Sequence, residues 1–579
     1  MNHCSYKQSI RSVSARVVSL AIALTPLVVF QRIAPAQASE TITLSIGGTI
    51  ERSISVESLA LYAKTGEVSE ELKPYMGYLD RLGPDAEAQI RALLTRRADL
   101  DVTAVSQFAY TPQGEYLLSK AGEVFRTGAR LPGGKGLRGA MIISAADSTK
   151  GLTLLNVIEN FPTPVLRVDL QQGLDISRQV SKTLEETQAA LAVIEQLASQ
   201  NAANDAVDAQ LASGLLQQAN QAAPFQVRKL SLQVKGSLKP VDLYLPESSV
   251  PFVATEINQR DLPAVIISHG LGGDRTSYAY LAKFLAARGF AVINVEHPGS
   301  DADQLTTLMT GRSNLAVPDS EFIARPVLIS RVLDSLETMA KTEDKSLGRI
   351  DFNNVGVIGQ SFGGYTALAV AGAPVNLARL KENCPPAFTV DLSVLLQCQA
   401  ANLGAPEGLS AAELNFTDAR IKAVIAINPM TKEIFGPESM AQIEVPVLMV
   451  AGSSDTVAPA LLEQIVPFTW LRSAPEHYLL VMKGGTHFST IGDSELDPDD
   501  LPLPESVIGP VPEVAEKYTQ VMSWAFLNTY LKKDSSYQAF LTSDFTQQFS
   551  QPAMPIVIVP ALTAEALAGQ STPENQPNR

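Results

Sequence analysis

An open, mostly parallel α/β sheet with helices wound on both faces is the fold class that residues 225–534 predict, and three observations carry it. Apolar segments alternate with amphipathic helical ones, the apolar segments from Pro263 onward run without polar alternation, and Gly-rich turns join the two kinds. Unbroken β-branched and Leu runs belong to parallel strands covered on both faces, and strand alternating with helix puts them in one doubly wound sheet.

In chain order the strand segments are Lys229 to Val234, Val241 to Leu245, Pro263 to Ser268, Ala291 to Glu296, Val355 to Gly359, Ala423 to Asn428, Val445 to Ala451 and Tyr478 to Met482. The first two, joined by Lys235 to Lys239, read as an antiparallel hairpin leading into the sheet. Helices fall at Tyr278 to Arg288, Glu321 to Lys341, Tyr365 to Ala371 and Val514 to Leu531. Pro374 to Arg420 is far longer than an ordinary helix-to-strand turn and predicts a cap insertion folded over the sheet edge.

Outside that block, residues 39–175 read as a separate helix-rich domain, with helices opening after Ser55 and near Ala86 and extended pieces at Thr41 to Ile46 and Val165 to Leu170. Residues 176–224 are rich in Ala and Gln, with Val180, Leu184, Leu191, Ile194 and Leu197 on one stripe, and read as a helical connector. A membrane-binding or lid helix is the sharper alternative, but its polar face is poor in Lys and Arg, with only Arg178 and Lys182. Residues 535–579 read as an appendage with a disordered end.

The N-terminus has its own logic. Lys7, Arg11 and Arg16 precede the apolar run Val17 to Phe30, and Ala36-Gln37-Ala38 follows it. This predicts a cleaved secretory signal over residues 1–38, since 14 apolar residues fall short of the about 20 that a spanning helix needs. A retained membrane anchor is the alternative. Export to the periplasm or medium is therefore expected, with no integral membrane segment after cleavage.

Of 579 residues, 45 are Lys or Arg and 60 are Asp or Glu, for a net charge of -15. The first 38 residues hold four of the basic residues and no acid, leaving 41 minus 60, or -19, for the rest. A field of that sign repels phosphodiester backbones, so nucleic acid is not an expected partner.

Chemistry concentrates at the ends of the parallel strands. Val355-Gly-Val-Ile-Gly359-Gln360-Ser361-Phe362-Gly363-Gly364 runs from strand directly into helix, with Gly359 and Gly363 flanking a serine that the tight turn would expose. A serine hydroxyl needs a base. Of the five histidines, His3 leaves with the signal and His477 begins a strand at the wrong edge of the sheet, while His269 and His297 precede Ser361 in the chain. His487 alone follows a late strand, in the order Ser, acid, His. Asp455, after the seventh strand, is the expected carboxylate, with Glu433 in reserve.

The developing oxyanion needs amide donors, expected from Phe362 and from Leu271 in Ser268-His269-Gly270-Leu271-Gly272-Gly273. Gly270, His269 and His297 are expected to support the site by hydrogen bonding. All these groups lie between residues 269 and 487, so residues 225–534 are expected to hold the complete active site.

Three segments, Ser268-His-Gly-Leu-Gly-Gly-Asp-Arg-Thr-Ser-Tyr278, Arg288-Gly-Phe-Ala-Val-Ile-Asn-Val-Glu-His297 and Gly359-Gln-Ser-Phe-Gly-Gly364, resemble the platelet-activating-factor acetylhydrolase branch of the α/β-hydrolases. They are also close to its dienelactone-hydrolase-like and polyester-hydrolase relatives. The resemblance spans roughly residues 225 to 530. It implies the α/β-hydrolase fold and a serine esterase that uses no metal or other cofactor, with Ser361, Asp455 and His487 as triad and the Leu271 and Phe362 amides as oxyanion hole. Two departures bear on the substrate: Gln360 stands where that branch usually has His, and Pro298-Gly299 where Arg-Asp is usual. The N-terminal part resembles a domain of unknown function found on predicted cyanobacterial hydrolases, which implies a periplasmic setting.

The expected function is hydrolysis of small or short-acyl carboxylic esters, lipid esters included, through an acyl-enzyme on Ser361. A serine peptidase or long-chain lipase could use the same triad, and a binding protein on a disused hydrolase fold is the reading from another class. Gly134-Lys-Gly136-Leu-Arg-Gly139 matches a dinucleotide fingerprint, but no strand leads into it. The acidic run Asp493 to Asp500 lacks calcium-loop spacing. Cys384 and Cys398, the cysteines left after signal removal, are expected to form a disulfide in an oxidising compartment.

Overall fold

Leu262–Ser268 is buried at every position, as are Ala291–Val295, Val447–Gly452 and His477–Met482. Strands with no solvent face must be sandwiched between helical layers, and that is their position in the computed structural model. The structure describes residues 38–46, 50–79, 85–204, 209–247, 261–342, 344–404, 414–472, 476–496 and 505–568. The signal expected over 1–38 and the chain end beyond 568 lie almost wholly outside them.

Two sheets are present among the described residues. The first joins β1 (Thr41–Ile46), β2 (Ile50–Ser55), β3 (Phe125–Thr127) and β4 (Val165–Asp169) in the order β2-β1-β4-β3. The N-terminal domain is therefore mixed. It is helix-rich as well, and β1 and β4 fall on the expected extended pieces; what the sequence did not announce is that β1 pairs in parallel with β4, more than 100 residues away. Ser55 caps the helix Val56–Thr65 by accepting from the Ser58 amide, as the local sequence predicts.

The second sheet comprises β5 (Gln226–Leu232), β6 (Val241–Glu247), β7 (Leu262–Ser268), β8 (Ala291–Val295), β9 (Ile350–Gln360), β10 (Ile421–Ile427), β11 (Val447–Gly452), β12 (His477–Met482) and β13 (Ile556–Val559). Their order is β13-β12-β11-β10-β9-β7-β8-β6-β5, parallel from β8 to β12 and antiparallel at both ends. This is the α/β-hydrolase fold.

One face is covered by the helices Glu321–Thr342 and Phe362–Val370, and the other by Ala279–Ala286 and Pro512–Tyr530.

Two expected boundaries are corrected. Residues 535–568 are no appendage: β13 pairs antiparallel with β12, from Leu479 opposite Val559 to Met482 opposite Ile556, and completes the sheet. Nor is 176–224 a mere connector. One helix runs Leu170–Asn204, with Ala190, Val193, Ile194 and Ala198 buried in the main core, and Leu215 and Ala219 of Ala209–Asn220 enter the core on the opposite face. The predicted stripe holds only in its later part, since Val180 and Leu184 face solvent.

The insertion after β9 carries the helices Leu377–Asn383 and Leu392–Gln397, with residues 405–413 outside the described set. Buried Gln397 pins it over the strand ends. Its carboxamide oxygen accepts from the Glu433 and Ile434 amides at 2.8 and 2.9 Å, and its nitrogen donates to Glu463 at 2.9 Å. Cys384 and Cys398 are disulfide-bonded across a separation of 14 residues. Closing a loop of that size is worth about 3 kcal/mol in the chain-entropy model. The Cys384→Ser/Cys398→Ser protein is expected to lose stability of that order in denaturant titrations, and a reductant is expected to reproduce the loss in the wild type only.

Candidate active site

β9 ends in the turn that carries Ser361. Its backbone sits at φ 55°, ψ -115°, a strained conformation for a residue with a side chain. The flanking glycines are required. A Cβ on Gly359 would lie 1.9 Å from the Gly363 carbonyl oxygen, and one on Gly363 would lie 2.0 Å from that of Ser268. Strand, turn and helix can pack this closely only without side chains there.

The loop after β12 brings His487 to the serine, with Nε2 2.8 Å from Ser361 Oγ. On its other side His487 Nδ1 donates to Asp455 Oδ2 at 2.6 Å. Asp455 follows β11, and its Oδ1 accepts from the Val457 and Ala458 amides at 2.8 Å each, which fixes the carboxylate. All three side chains are buried. The tautomer follows: with the proton on Nδ1 facing Asp455, Nε2 is the acceptor for the serine hydroxyl.

Glu433 is not part of this group. It pairs with Arg379 at 3.3 Å and Lys432 at 3.2 Å and accepts from Asn383 at 2.7 Å. His477 begins β12 and accepts from the Val447 amide at 3.2 Å, at the opposite end of the strand from His487, and burial pulls its pKa down to about 4.

Phe362 is the first residue of its helix, so its amide has no acceptor within that helix. The Leu271 loop approaches the same turn and is held by the Gly272 amide donating to Ser300 O at 2.9 Å. His269 and His297 lie behind it. His269 Nδ1 donates to Gly270 O at 2.7 Å, its Nε2 accepts from the His297 amide at 3.0 Å, and His297 Nε2 is 2.8 Å from Ser268 Oγ. Burial, reinforced by Arg325, pulls His269 down to about 3 and His297 well below its usual value, so both stay neutral at physiological pH.

Three residues hold this architecture by hydrogen bonds that the sequence reading did not foresee, although it set Gln360 apart as a departure bearing on the substrate. Gln360 Nε2 donates to the His487 carbonyl at 3.0 Å. Asn428, at φ 43°, donates to Thr486 O at 3.1 Å while its own oxygen accepts from the Gly452 amide at 2.9 Å, tying the His487 loop to β11. Arg325 is fully buried, with Nη1 to His269 O at 2.8 Å, Nε to Ser300 Oγ at 2.8 Å and its guanidinium 4.2 Å from the Phe362 ring centre. A polar residue closing an apolar run, Val355 to Gly359 in one strand and Ala423 to Ile427 in the other, is the signal that marks Gln360 and Asn428. Arg325 has a fainter one, a lone cation on the inner face of an apolar helix.

The site opens into a cavity of about 420 Å³ whose walls are mostly aliphatic and aromatic, among them Leu308, Leu396, Met430 and Phe488. Leu308 lies on the helix Ala302–Met309, capped by Asp301, whose Oδ1 accepts from the Gln304 amide at 2.9 Å. Burial raises Asp301 to about 6, opposed by that bond and by Lys239 and aided by Glu296 and Asp303. A carboxyl whose folded pKa exceeds its unfolded one stabilises below the unfolded value, near 4, and the contribution is lost as pH rises through 6. Asp301→Asn keeps the cap without the buried charge. It is expected to melt higher than wild type at pH 8 and alike at pH 4, by thermal denaturation at both.

Comparison with known proteins gives two family matches. Residues 38–169 match the model described as alpha/beta hydrolase of unknown function (DUF1400), and residues 241–328 match platelet-activating factor acetylhydrolase, isoform II. The second match includes the Leu271 loop and ends before Ser361. Cutinase 1 of Thermobifida cellulosilytica is 24% identical over 321 residues, covering 52% of this chain and 88% of the relative. The cutinase of Thermobifida fusca (strain YX) is 24% identical over 321 residues, covering 52% and 77%.

Proposed function

As an ester-hydrolysing α/β-hydrolase with a region like platelet-activating factor acetylhydrolase, this chain, we propose, is a serine esterase that cleaves esters of small or short-chain acids, lipid esters among them, in two steps. The observation that carries the reading is the continuous relay from Ser361 through His487 to Asp455. Ser361 Oγ attacks the acyl carbon as His487 Nε2 takes its proton, and Asp455 stabilises the imidazolium. The oxyanion of the tetrahedral intermediate is held by the Leu271 and Phe362 amides. His487 returns the proton to the departing alkoxide, leaving an acyl-Ser361 ester. Water then attacks that ester, with His487 again as base, releasing the acid and restoring the serine.

Export to the periplasm or medium belongs to the same proposal. The basic, apolar and small-residue order of residues 1–38 supports it, as does the Cys384–Cys398 bond, since disulfides persist in oxidising compartments. The acidic surface favours neutral or zwitterionic esters over polyanions.

The test is labelling with a fluorophosphonate alongside parallel ester and peptide assays. Stoichiometric labelling of Ser361 with turnover of p-nitrophenyl esters supports the reading. Turnover of peptides but not esters would make it a peptidase, and no labelling of folded protein would overturn it.

A further inference from the structure

The cavity above Ser361 is not built by the hydrolase domain alone. Phe108, Thr111 and Gln113 of the N-terminal domain line it together with Ser361 and His487. They sit where the helix Val102–Tyr110 gives way to Pro112–Val124. Thr111 is buried and rigidly placed: its hydroxyl donates to Phe108 O at 2.7 Å and accepts from the Gly114 amide at 3.1 Å, capping the second helix. The helix Val102–Tyr110 packs on Ala302–Met309, which brings Leu305 and Leu308 to the cavity, and Pro112–Val124 packs on Leu392–Gln397 of the cap insertion. The expectation that residues 225–534 hold the complete site is thus corrected: they hold Ser361, Asp455 and His487 but not every wall.

One feature of this junction points to a ligand. Four residues lining the cavity are large, apolar and more than a third exposed: Phe108 at 47%, Leu271 at 37%, Leu305 at 37% and Leu392 at 41%. Single exposed leucines are ordinary, but these come from four separate stretches of chain and converge on one opening.

We propose that the N-terminal domain is the outer wall of the substrate chamber, and that Phe108 there selects an ester bearing an octanoyl-sized aliphatic chain. The proposal rests on the esterase reading and extends it from the smallest acyl groups to a chain that runs from Ser361 to the apolar mouth. A cavity of about 420 Å³ is within the range of small-ligand sites, roughly 300–1,000 Å³. Phe108 supplies apolar contact; it acts by positioning the chain and does not touch the reacting carbon.

The experiment uses full-length protein and the ratio of kcat/KM for p-nitrophenyl octanoate to that for p-nitrophenyl acetate. Phe108→Asp is expected to lower this ratio at least fivefold, through KM for the octanoate. Phe108→Leu is expected to retain it. A second measurement needs no turnover: displacement of N-phenyl-1-naphthylamine from Ser361→Ala protein by methyl octanoate, with and without Phe108→Asp. A ratio that moves less than twofold in Phe108→Asp, with the esters still hydrolysed, overturns the wall and leaves the esterase reading intact. Phe108-dependent displacement with neither ester hydrolysed supports the wall and overturns the esterase. Failure of both measurements overturns both.

Discussion

Ser361→Ala is expected to lower kcat/KM on p-nitrophenyl esters by roughly 10⁴- to 10⁶-fold while leaving the thermal unfolding midpoint close to that of the wild type. The hydroxyl is the atom that the relay exists to deprotonate, and its loss removes no packing of consequence. His487→Ala is expected to cost a similar factor, and Ser361→Ala/His487→Ala no more than either alone, because residues acting as one unit are not additive. Asp455→Asn is expected to cost roughly 10⁴-fold, since an amide at 2.6 Å from Nδ1 favours the wrong imidazole tautomer. His477→Ala is the control. That histidine serves the backbone at the start of β12, so after correction for folded fraction turnover should stay near wild type. A His477→Ala protein as inactive as His487→Ala would remove the assignment.

The second large effect is expected at Arg325. Its guanidinium holds the His269 carbonyl and Ser300 while facing Glu321 at 3.7 Å, and Ser300 in turn donates to Glu321 at 2.7 Å. Arg325→Met would leave two acceptors unsatisfied and a buried carboxylate unpaired. Breaking one side of such a pair costs about 3–5 kcal/mol. Denaturant unfolding should register that loss, and fluorophosphonate labelling should slow as well, because His269 and Gly270 lead directly into Leu271. Arg325→Lys separates charge from shape. It keeps the cation but cannot present the planar fork, so it should restore part of the stability and little of the labelling rate.

The parallel core could be read from the sequence because the central run of each of its strands is buried on both faces, and such runs declare themselves as unbroken apolar stretches. The proximity of Ser361, Asp455 and His487 was legible for a related reason. All three follow the carboxyl ends of those runs, where a doubly wound sheet gathers its loops. What stayed hidden depends on partners distant in the chain. β1 with β4, the fourfold mouth of the cavity and the Arg325 cluster are each assembled from segments that carry no mark of one another. The long helix Leu170–Asn204 was read correctly as helical and wrongly as a tether, because an Ala-rich stripe looks the same whether it spans a gap or covers a core.

β13 carries a consequence for biosynthesis. It is made nearly 75 residues after the strand it pairs with, and the helix Leu170–Asn204, made some 350 residues earlier, packs against it. Until Ile556–Val559 leaves the ribosome, β12 is an unpaired edge whose six residues are all buried in the finished protein, the kind of edge that recruits foreign strands. Closing the sheet then joins segments from opposite parts of the chain, a slow kind of contact to form. Every folding chain therefore passes through a sticky interval that ends only when Ile556–Val559 arrives, and a chain broken off before residue 556 never leaves it.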